Sequence, residues 1–436
     1  MRMRLESIVL LLICSVASAS ESWTLERVLD YALDNNPDAR IALQRVAAAQ
    51  AGLEQANSAF RPRFQIQSSY SRTDNPMMVF GSILNQRSYR SSLDFNDVPG
   101  IDNLNTRGIV TVPLYTSGRN VAGRAVAEAN TEAARYQSFA VRNALSFEVV
   151  RSYHTVLKTR QFVFAAEAAV KSFEGSLAIA KKRFDVSSLL KSDVLDVEVR
   201  LSEANEDLIR ARNANSLAKR VLLNLLGSEE EEIAVSTAVS DVRVPDTIDF
   251  AQRPELAAAR ERERAAQARV RAMQSGYRPK VSAFAGVDHD YSWDTKGDGT
   301  SYSAGILAQW EVWNGFSTRA QVREAKANLE TVREELRKLR LGIKFEVEQA
   351  RLSLSAAVKR LEVSRKTVEQ ATESAELTHR RFEQGLSLST QLINSETALV
   401  AARVRRAEAE SDYCISVAAL RKALALPQLD SNLTEK

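Results

Sequence analysis

Only three histidines occur in the chain, His154, His289 and His379. Their wide spacing supplies no second ligand at the short intervals a zinc site uses. Four aspartates, Asp288, Asp290, Asp294 and Asp298, flank Gly297 and Gly299 and could gather oxygen ligands for calcium. Their spacing departs from the EF-hand loop, and the segment reads as a polar hairpin turn. No Gly-rich phosphate loop follows an apolar strand, and no serine elbow offers a nucleophile. The remaining pair is Asp193 and Asp196, which i, i+3 spacing sets on one face of a helix. Asp193 could equally cap a helix that begins after the preceding turn. No enzyme constellation emerges, so no catalytic residue, metal ligand or cofactor is expected.

The elements that would position such residues begin after an export signal. Arg2 and Arg4 precede an apolar run from Ile8 to Cys14, followed by Ala17-Ser18-Ala19, the pattern of a signal-peptidase site. The run is too short to cross a bilayer as a helix. Ile13, before Cys14, is not the small residue that lipoprotein cleavage prefers. A cleaved secretory signal over residues 1–19 is therefore expected, leaving Cys414 as the single thiol of the mature chain and no internal disulfide. The formal net charge of +4, spread along the chain, gives no basic patch for nucleic acid.

The chain states its pattern twice. Ala48-Ala49-Gln50-Ala51 returns as Ala265-Ala266-Gln267-Ala268, and Phe60-Arg61-Pro62-Arg63 as Tyr277-Arg278-Pro279-Lys280, both 217 residues on. Phe147-Glu148-Val149 returns as Phe345-Glu346-Val347 and Arg183-Phe184 as Arg381-Phe382, 198 residues on. The offset shrinks because the first copy has a longer loop, residues 72–106. Each copy reads as a short helix (Thr24–Asn35, and the segment leading to Pro254), an Ala-rich helix, a strand pair, and two long helices joined by a tight turn. Between Asn314 and Leu426 there is no proline. Val322, Ala325, Leu329, Val332, Leu336, Leu339 and Ile343 follow alternating steps of three and four, and a stutter at Val347 precedes a similar stripe. This is coiled-coil patterning with one local unwinding point. Roughly 65 residues of unbroken helix would run about 100 Å.

The shorter segments alternate with a period of two. Phe64, Ile66, Ser68 and Tyr70 share one face, as do Val281, Ala283, Ala285 and Val287, and Tyr302, Ala304, Ile306, Ala308, Trp310 and Val312. Ile109–Tyr115 makes a fourth strand in which Pro113 limits pairing. Strands of about ten residues can cross a bilayer at a tilt, and aromatics near their ends suit interfacial girdles. Four strands cannot close a barrel, and open edges are not tolerated in lipid. Identical copies must complete the wall, with eight strands from a dimer or twelve from a trimer.

From about Thr24 to Leu426 this constellation resembles the TolC-like outer-membrane efflux family. The resemblance is carried by Asn36-Pro37 and Arg253-Pro254-Glu255-Leu256 opening the halves, and by the Arg-Pro pairs before the strands. It is carried also by Val112-Pro113-Leu114-Tyr115-Thr116-Ser117-Gly118 and Trp310-Glu311-Val312-Trp313-Asn314-Gly315 after them, and by the hairpin tips at Arg183–Asp196 and Arg381–Leu386. It implies a mainly α protein with a small β part: duplicated coiled-coil helices and four strands per protomer, forming a homotrimeric twelve-stranded barrel over an α-helical periplasmic tunnel. It implies an exit duct of a tripartite efflux or type I secretion system in the outer membrane, with a periplasmic adaptor and an inner-membrane pump (RND, ABC or similar) as partners. Val186, Ser187 and Ser188 in the first tip, with Gly385 and Leu386 in the second, are the implied adaptor contacts. Ser187 replaces a usual glycine. The implied periplasmic gate involves Asp193 and Asp196, and the matching second-copy places, Gln391 and Asn394, where the family often has aspartates.

The expected organisation is a signal peptide (1–19), a first structural repeat (20–227), an inter-repeat linker (228–253), a second repeat (254–426) and a C-terminal tail (427–436). The competing reading is a periplasmic coiled-coil adaptor or scaffold without a pore. An adaptor carries one helical hairpin flanked by compact β modules, whereas this chain has two hairpins and a duplicated strand pair.

Overall fold

The computed structural model describes residues 22–94, 96–229, 232–236, 244–245 and 249–429. The expected signal peptide with Cys14, part of the linker and the end of the tail lie outside these residues. In chain order the elements are α1 (Leu25–Asn35), α2 (Pro37–Ser58), β1 (Arg63–Thr73), α3 (Pro76–Asn85), β2 (Ile101–Tyr115), α4 (Arg119–Asp185) and α5 (Lys191–Leu226), then α6 (Pro254–Gln274), β3 (Lys280–Tyr291), β4 (Asp298–Gln309), α7 (Ser317–Glu383) and α8 (Ser389–Ala423). A 3-10 turn at Ser275–Tyr277 joins α6 to β3.

The repeat is written into the backbone. Helices α4 and α7 are 67 residues each. Left-handed residues occur at matched places: Ser117 with Gly315, Gly118 with Phe316, Ser187 with Gly385, and Gly227 with Ala425. Local chemistry starts the helices where the chain must turn. Thr24 Oγ1 accepts from Arg27 N at 3.4 Å, and Asn36 Oδ1 accepts from Asp38 N at 2.7 Å to open α2, as N-caps do. The α5 end is tight: a Cβ on Gly227 would lie 2.9 Å from the Asn35 carbonyl oxygen.

Residues cluster into two compact units, each drawing on both repeats. One comprises the described parts of Met1–Arg40, Val141–Phe250 and Ile343–Lys436. Its main core joins Leu25, Val28 and Leu29 of α1 to Val149, Tyr153 and Val156 of α4 and Leu222, Leu223 and Leu226 of α5. Along α7, Ile343, Val347, Ala350, Leu354 and Ala357 are all buried, so the stripe runs through the stutter. The other unit is Ile41–Ala140 with Ala251–Gly342. It holds an antiparallel sheet ordered β1-β2-β3-β4.

Several local readings change. Strand β2 starts at Ile101 rather than near Ile109, and its pairing with β3 shifts register between Pro113 and Tyr115. A proline there has no N–H to donate, so the ladder slips. Trp310 and Val312 fall beyond β4, with Trp310 Nε1 donating to the Tyr277 carbonyl at 3.2 Å. The long first loop contains α3. Between Gly227 and Pro254 the described residues form no helix; Ala251 and Gln252 form a turn.

Candidate functional site

The sheet has two chemically different faces, because cross-strand partners project to the same side. One face is built from Phe64, Ile66, Leu104, Val110, Val112, Val281, Ala283, Ala285, Val287, Tyr302, Ala304, Ile306 and Ala308, placed together by the register. Its large members lie open, with Ile66 66 % and Ile306 71 % exposed. The polar row Ser68, Thr106, His289 and Thr300 satisfies itself, through Ser68 Oγ with Thr106 Oγ1 at 3.0 Å and His289 Nδ1 with Thr300 Oγ1 at 3.2 Å. Beyond it Tyr70, Trp293 and Tyr291 meet edge to face. From the Val281 row to the Tyr291 row the strands advance ten residues. At about 3.3 Å per residue and a tilt near 40°, that is a band of about 25 Å, the height of a barrel's lipid-facing belt.

The opposite face is polar. Gln65, Gln67, Ser69 and Ser71 of β1 align with Asn103, Asn105, Arg107 and Ile109 of β2. Arg107 Nε donates to Asp288 Oδ1 at 2.7 Å. Asp290 Oδ1 accepts from Asn103 Nδ2 at 2.7 Å and Asn105 Nδ2 at 3.0 Å. Two of the four aspartates considered for calcium, Asp288 and Asp290, are thus committed to a cross-strand ladder, while Asp294 pairs with Arg72 at 3.1 Å and Asp298 lies 3.5 Å from His289. Among the described residues no group of three or more His, Cys, Asp or Glu is placed to hold a metal ion.

The two helical-hairpin turns are the second functional region. At the α4–α5 turn, Ser187 has φ +57° and at the α7–α8 turn Gly385 has φ +80°. Ser187 N and Ser188 N donate to the carbonyls of Phe184 and Arg183, as Gly385 N and Leu386 N do to those of Phe382 and Arg381. The serine therefore keeps the glycine geometry, at a cost of about 1 kcal/mol for a left-handed L-residue. The turns are joined to each other. Arg183 Nη1 donates to the Phe382 carbonyl at 3.0 Å and its guanidinium lies 5.0 Å from the Phe382 ring centroid. Ser389 Oγ donates to Asp193 Oδ1 at 2.6 Å. Asp193 Oδ2 accepts from Leu190 N at 3.3 Å, and Gln391 Oε1 accepts from Leu388 N at 3.4 Å and Ser387 Oγ at 2.8 Å. Below, Phe382, Leu392, Ala180 and Val194 form a small core. Asp193 and Gln391 are thus cap residues at matched places, while Asp196 and Asn394 lie exposed one turn further on.

Val186, Ser187, Ser188, Gly385 and Leu386 are all exposed. Sequence reading passed over Leu190 and Leu388, which the same turns leave 70 % and 65 % exposed. Their matched position in the two repeats was the available signal. Of the histidines, His154 is buried in the helical unit and desolvation pushes it down to about 4. His379 lies 3.5 Å from Glu383 and 3.8 Å from Glu396.

Comparison with known proteins places these faces and turns in context. The TolC outer membrane protein of Vibrio cholerae is 22% identical over 439 residues, covering 94% of this chain and 92% of that protein. The alkaline protease secretion protein AprF of Pseudomonas aeruginosa is 24% identical over 407 residues, covering 89% and 82%. The CmeC outer membrane channel of Campylobacter jejuni superposes with TM-score 0.81 at 16% identity, over 94% of this chain and 87% of that one. CusC superposes with TM-score 0.80 at 16% identity, over 92% and 91%. The outer membrane efflux protein family model matches residues 28–228 and 250–426. That match accounts for a sheet apolar on one face and polar on the other and for two long helical hairpins, and the chain belongs to the outer membrane efflux protein family.

Proposed function

We propose that three copies of the chain assemble into a passive exit duct. Its barrel crosses the outer membrane, and its helical hairpins reach into the periplasm to meet an adaptor and an inner-membrane pump that supplies the energy. The observation that carries this is the two-faced sheet with free edges at β1 and β4. Such edges cannot remain unpaired in lipid, and copies joined β4 to β1 around a closed ring satisfy them all. A pore-free adaptor has no use for an apolar face of this height. The family relatives serve protease secretion and pyoverdine export by name, which suits a duct whose cargo is chosen by its pump.

At the entrance, Val186, Leu190, Leu386 and Leu388 form the apolar part of the adaptor contact, with Ser187, Ser188 and Gly385 setting the turn backbone. Asp193, through Ser389, and Arg183, through the Phe382 carbonyl, hold the tips together, Gln391 caps its own turn, and Asp196 with Asn394 faces the passage. Three copies of Asp196 would favour cations. The test is purified full-length protein in planar bilayers together with its mass in detergent. A trimer giving discrete conductance steps is expected, and a soluble monomer that never enters lipid would overturn the reading. Asp196→Asn should move the reversal potential in a salt gradient toward zero, whereas Asp193→Asn should loosen the tips. An unchanged reversal potential in Asp196→Asn removes that residue from the entrance.

A further inference from the structure

Helix α3 lies within the loop 72–106. No charged residue occurs between Asp74 and Arg87, and Asn75 caps the helix through its Oδ1, accepting from Met77 N at 3.2 Å and Met78 N at 3.3 Å. One side of α3 is spent on its own unit: Val79 and Ile83 are fully buried with Ile101, against Leu93 and Val98. The other side is open, with Met77 78 %, Met78 57 % and Leu84 46 % exposed.

The location of α3 decides what that open side can meet. Ile101 and Asn103 alternate with Asp102 and so lie on the polar face of the sheet. Gln86 follows α3, is fully buried, and donates from Nε2 to Asn103 Oδ1 and the Asp102 carbonyl, each at 2.9 Å, while its Oε1 accepts from Thr295 Oγ1 at 2.8 Å. Arg87 Nη2 donates to the Thr300 carbonyl at 2.9 Å. The approach is so close that only glycine fits beneath it: a Cβ on Gly299 would lie 1.8 Å from the Asn85 carbonyl oxygen. Helix α3 is therefore clamped over the polar face, at the hairpin end of the strands, on the side away from Ile66 and Ile306. Lipid cannot reach its exposed methionines in a closed barrel.

We propose that the open face of α3 docks on the same face of two other copies, so that three α3 helices close the outer mouth of the barrel with an apolar constriction. This rests on the trimeric duct reading. The spacing brings the three helices into contact. Twelve strands about 4.8 Å apart and tilted near 40° enclose a wall about 24 Å across between facing backbones. Three touching helices, each about 10 Å across, need a circle of about 22 Å. An apolar ring of this kind excludes water and ions by dewetting, and outward cargo would have to part it.

Two measurements on full-length protein test this, in a Cys414→Ser background that removes the native thiol. In the first, Met78→Cys should be joined into intermolecular adducts by a short homobifunctional maleimide. In the second, Gln65→Cys, on the polar face deeper in the barrel, should react slowly with a bulky impermeant maleimide added outside cells. Adding Met77→Asn, Met78→Asn and Leu84→Asn, which touch no core, should speed that labelling at least about tenfold. A protein that is trimeric by mass yet gives no Met78→Cys adducts, with labelling of Gln65→Cys unchanged by the triple substitution, overturns the constriction and leaves the duct intact. A monomeric protein overturns both.

Discussion

Arginine placed at Ile66 tests the two-faced sheet most directly. Ile66 pairs with Gly108, which pairs with Val287. That row lies six residues from the Val281 row along β3, or about 15 Å into a band of about 25 Å. Close to mid-bilayer, an arginine costs about 2–4 kcal/mol per copy. Three copies would cost about 6–12 kcal/mol per assembly, enough to prevent insertion of a marginally stable protein. Ile306 sits only two residues from the Ala308 row, about 5 Å into the band, so Ile306→Arg should cost about 1 kcal/mol. Gln65 is the chain neighbour of Ile66 but projects to the other face, and Gln65→Arg should cost less than about 0.5 kcal/mol. The assay is refolding into phospholipid vesicles across a urea series, followed by heat-modifiable electrophoretic mobility. The expected order of midpoints is Gln65→Arg nearly unchanged, Ile306→Arg lower, and Ile66→Arg lowest. If Ile66→Arg inserts normally while Gln65→Arg fails, the faces are reversed and the register argument is wrong.

Ser187→Gly should relieve about 1 kcal/mol at the first tip and slow amide exchange at Ser188 about fivefold; faster exchange would show that the serine side chain holds the turn. His154, pushed down to about 4 by burial, makes stability fall as pH drops. Unfolded histidine titrates near about 6.5, so the unfolded chain binds the extra proton between those values, and about 3 kcal/mol is lost by about pH 4. His154→Phe should flatten urea midpoints between about pH 7 and about pH 4.5, and an unchanged slope would place the acid sensitivity elsewhere.

The long helices were legible because their periodicity persists over many turns. Val322, Ala325, Ile343, Val347, Ala350 and Leu354 were readable as a stripe and are buried. Dyad alternation located the four strands but not all of their ends. The start of β2, Ile101 to Gly108, is rich in polar residues and looks like loop. Its partners, Asp288 and Asp290, lie more than 180 residues away in the chain. No local pattern carries that pairing. The same holds for α3, whose short apolar run reads equally as strand, loop or helix until Gly299 and Gln86 fix its seat. At the tips, residue type alone does not give the backbone, since Ser187 and Gly385 share the left-handed region. Ser187 adopts the left-handed backbone because the end of α4 directs its hydrogen bonds that way, whatever side chain stands there.

The unpaired borders at β1 and β4 carry a genetic consequence. In the proposed ring of three, every member serves two neighbours at once, so one faulty copy spoils the ring it joins. A cell making sound and faulty chains in equal amounts would build only about one wholly sound ring in eight. A lesion at either border should therefore behave as dominant, while a lesion that keeps the chain from reaching its siblings should be recessive.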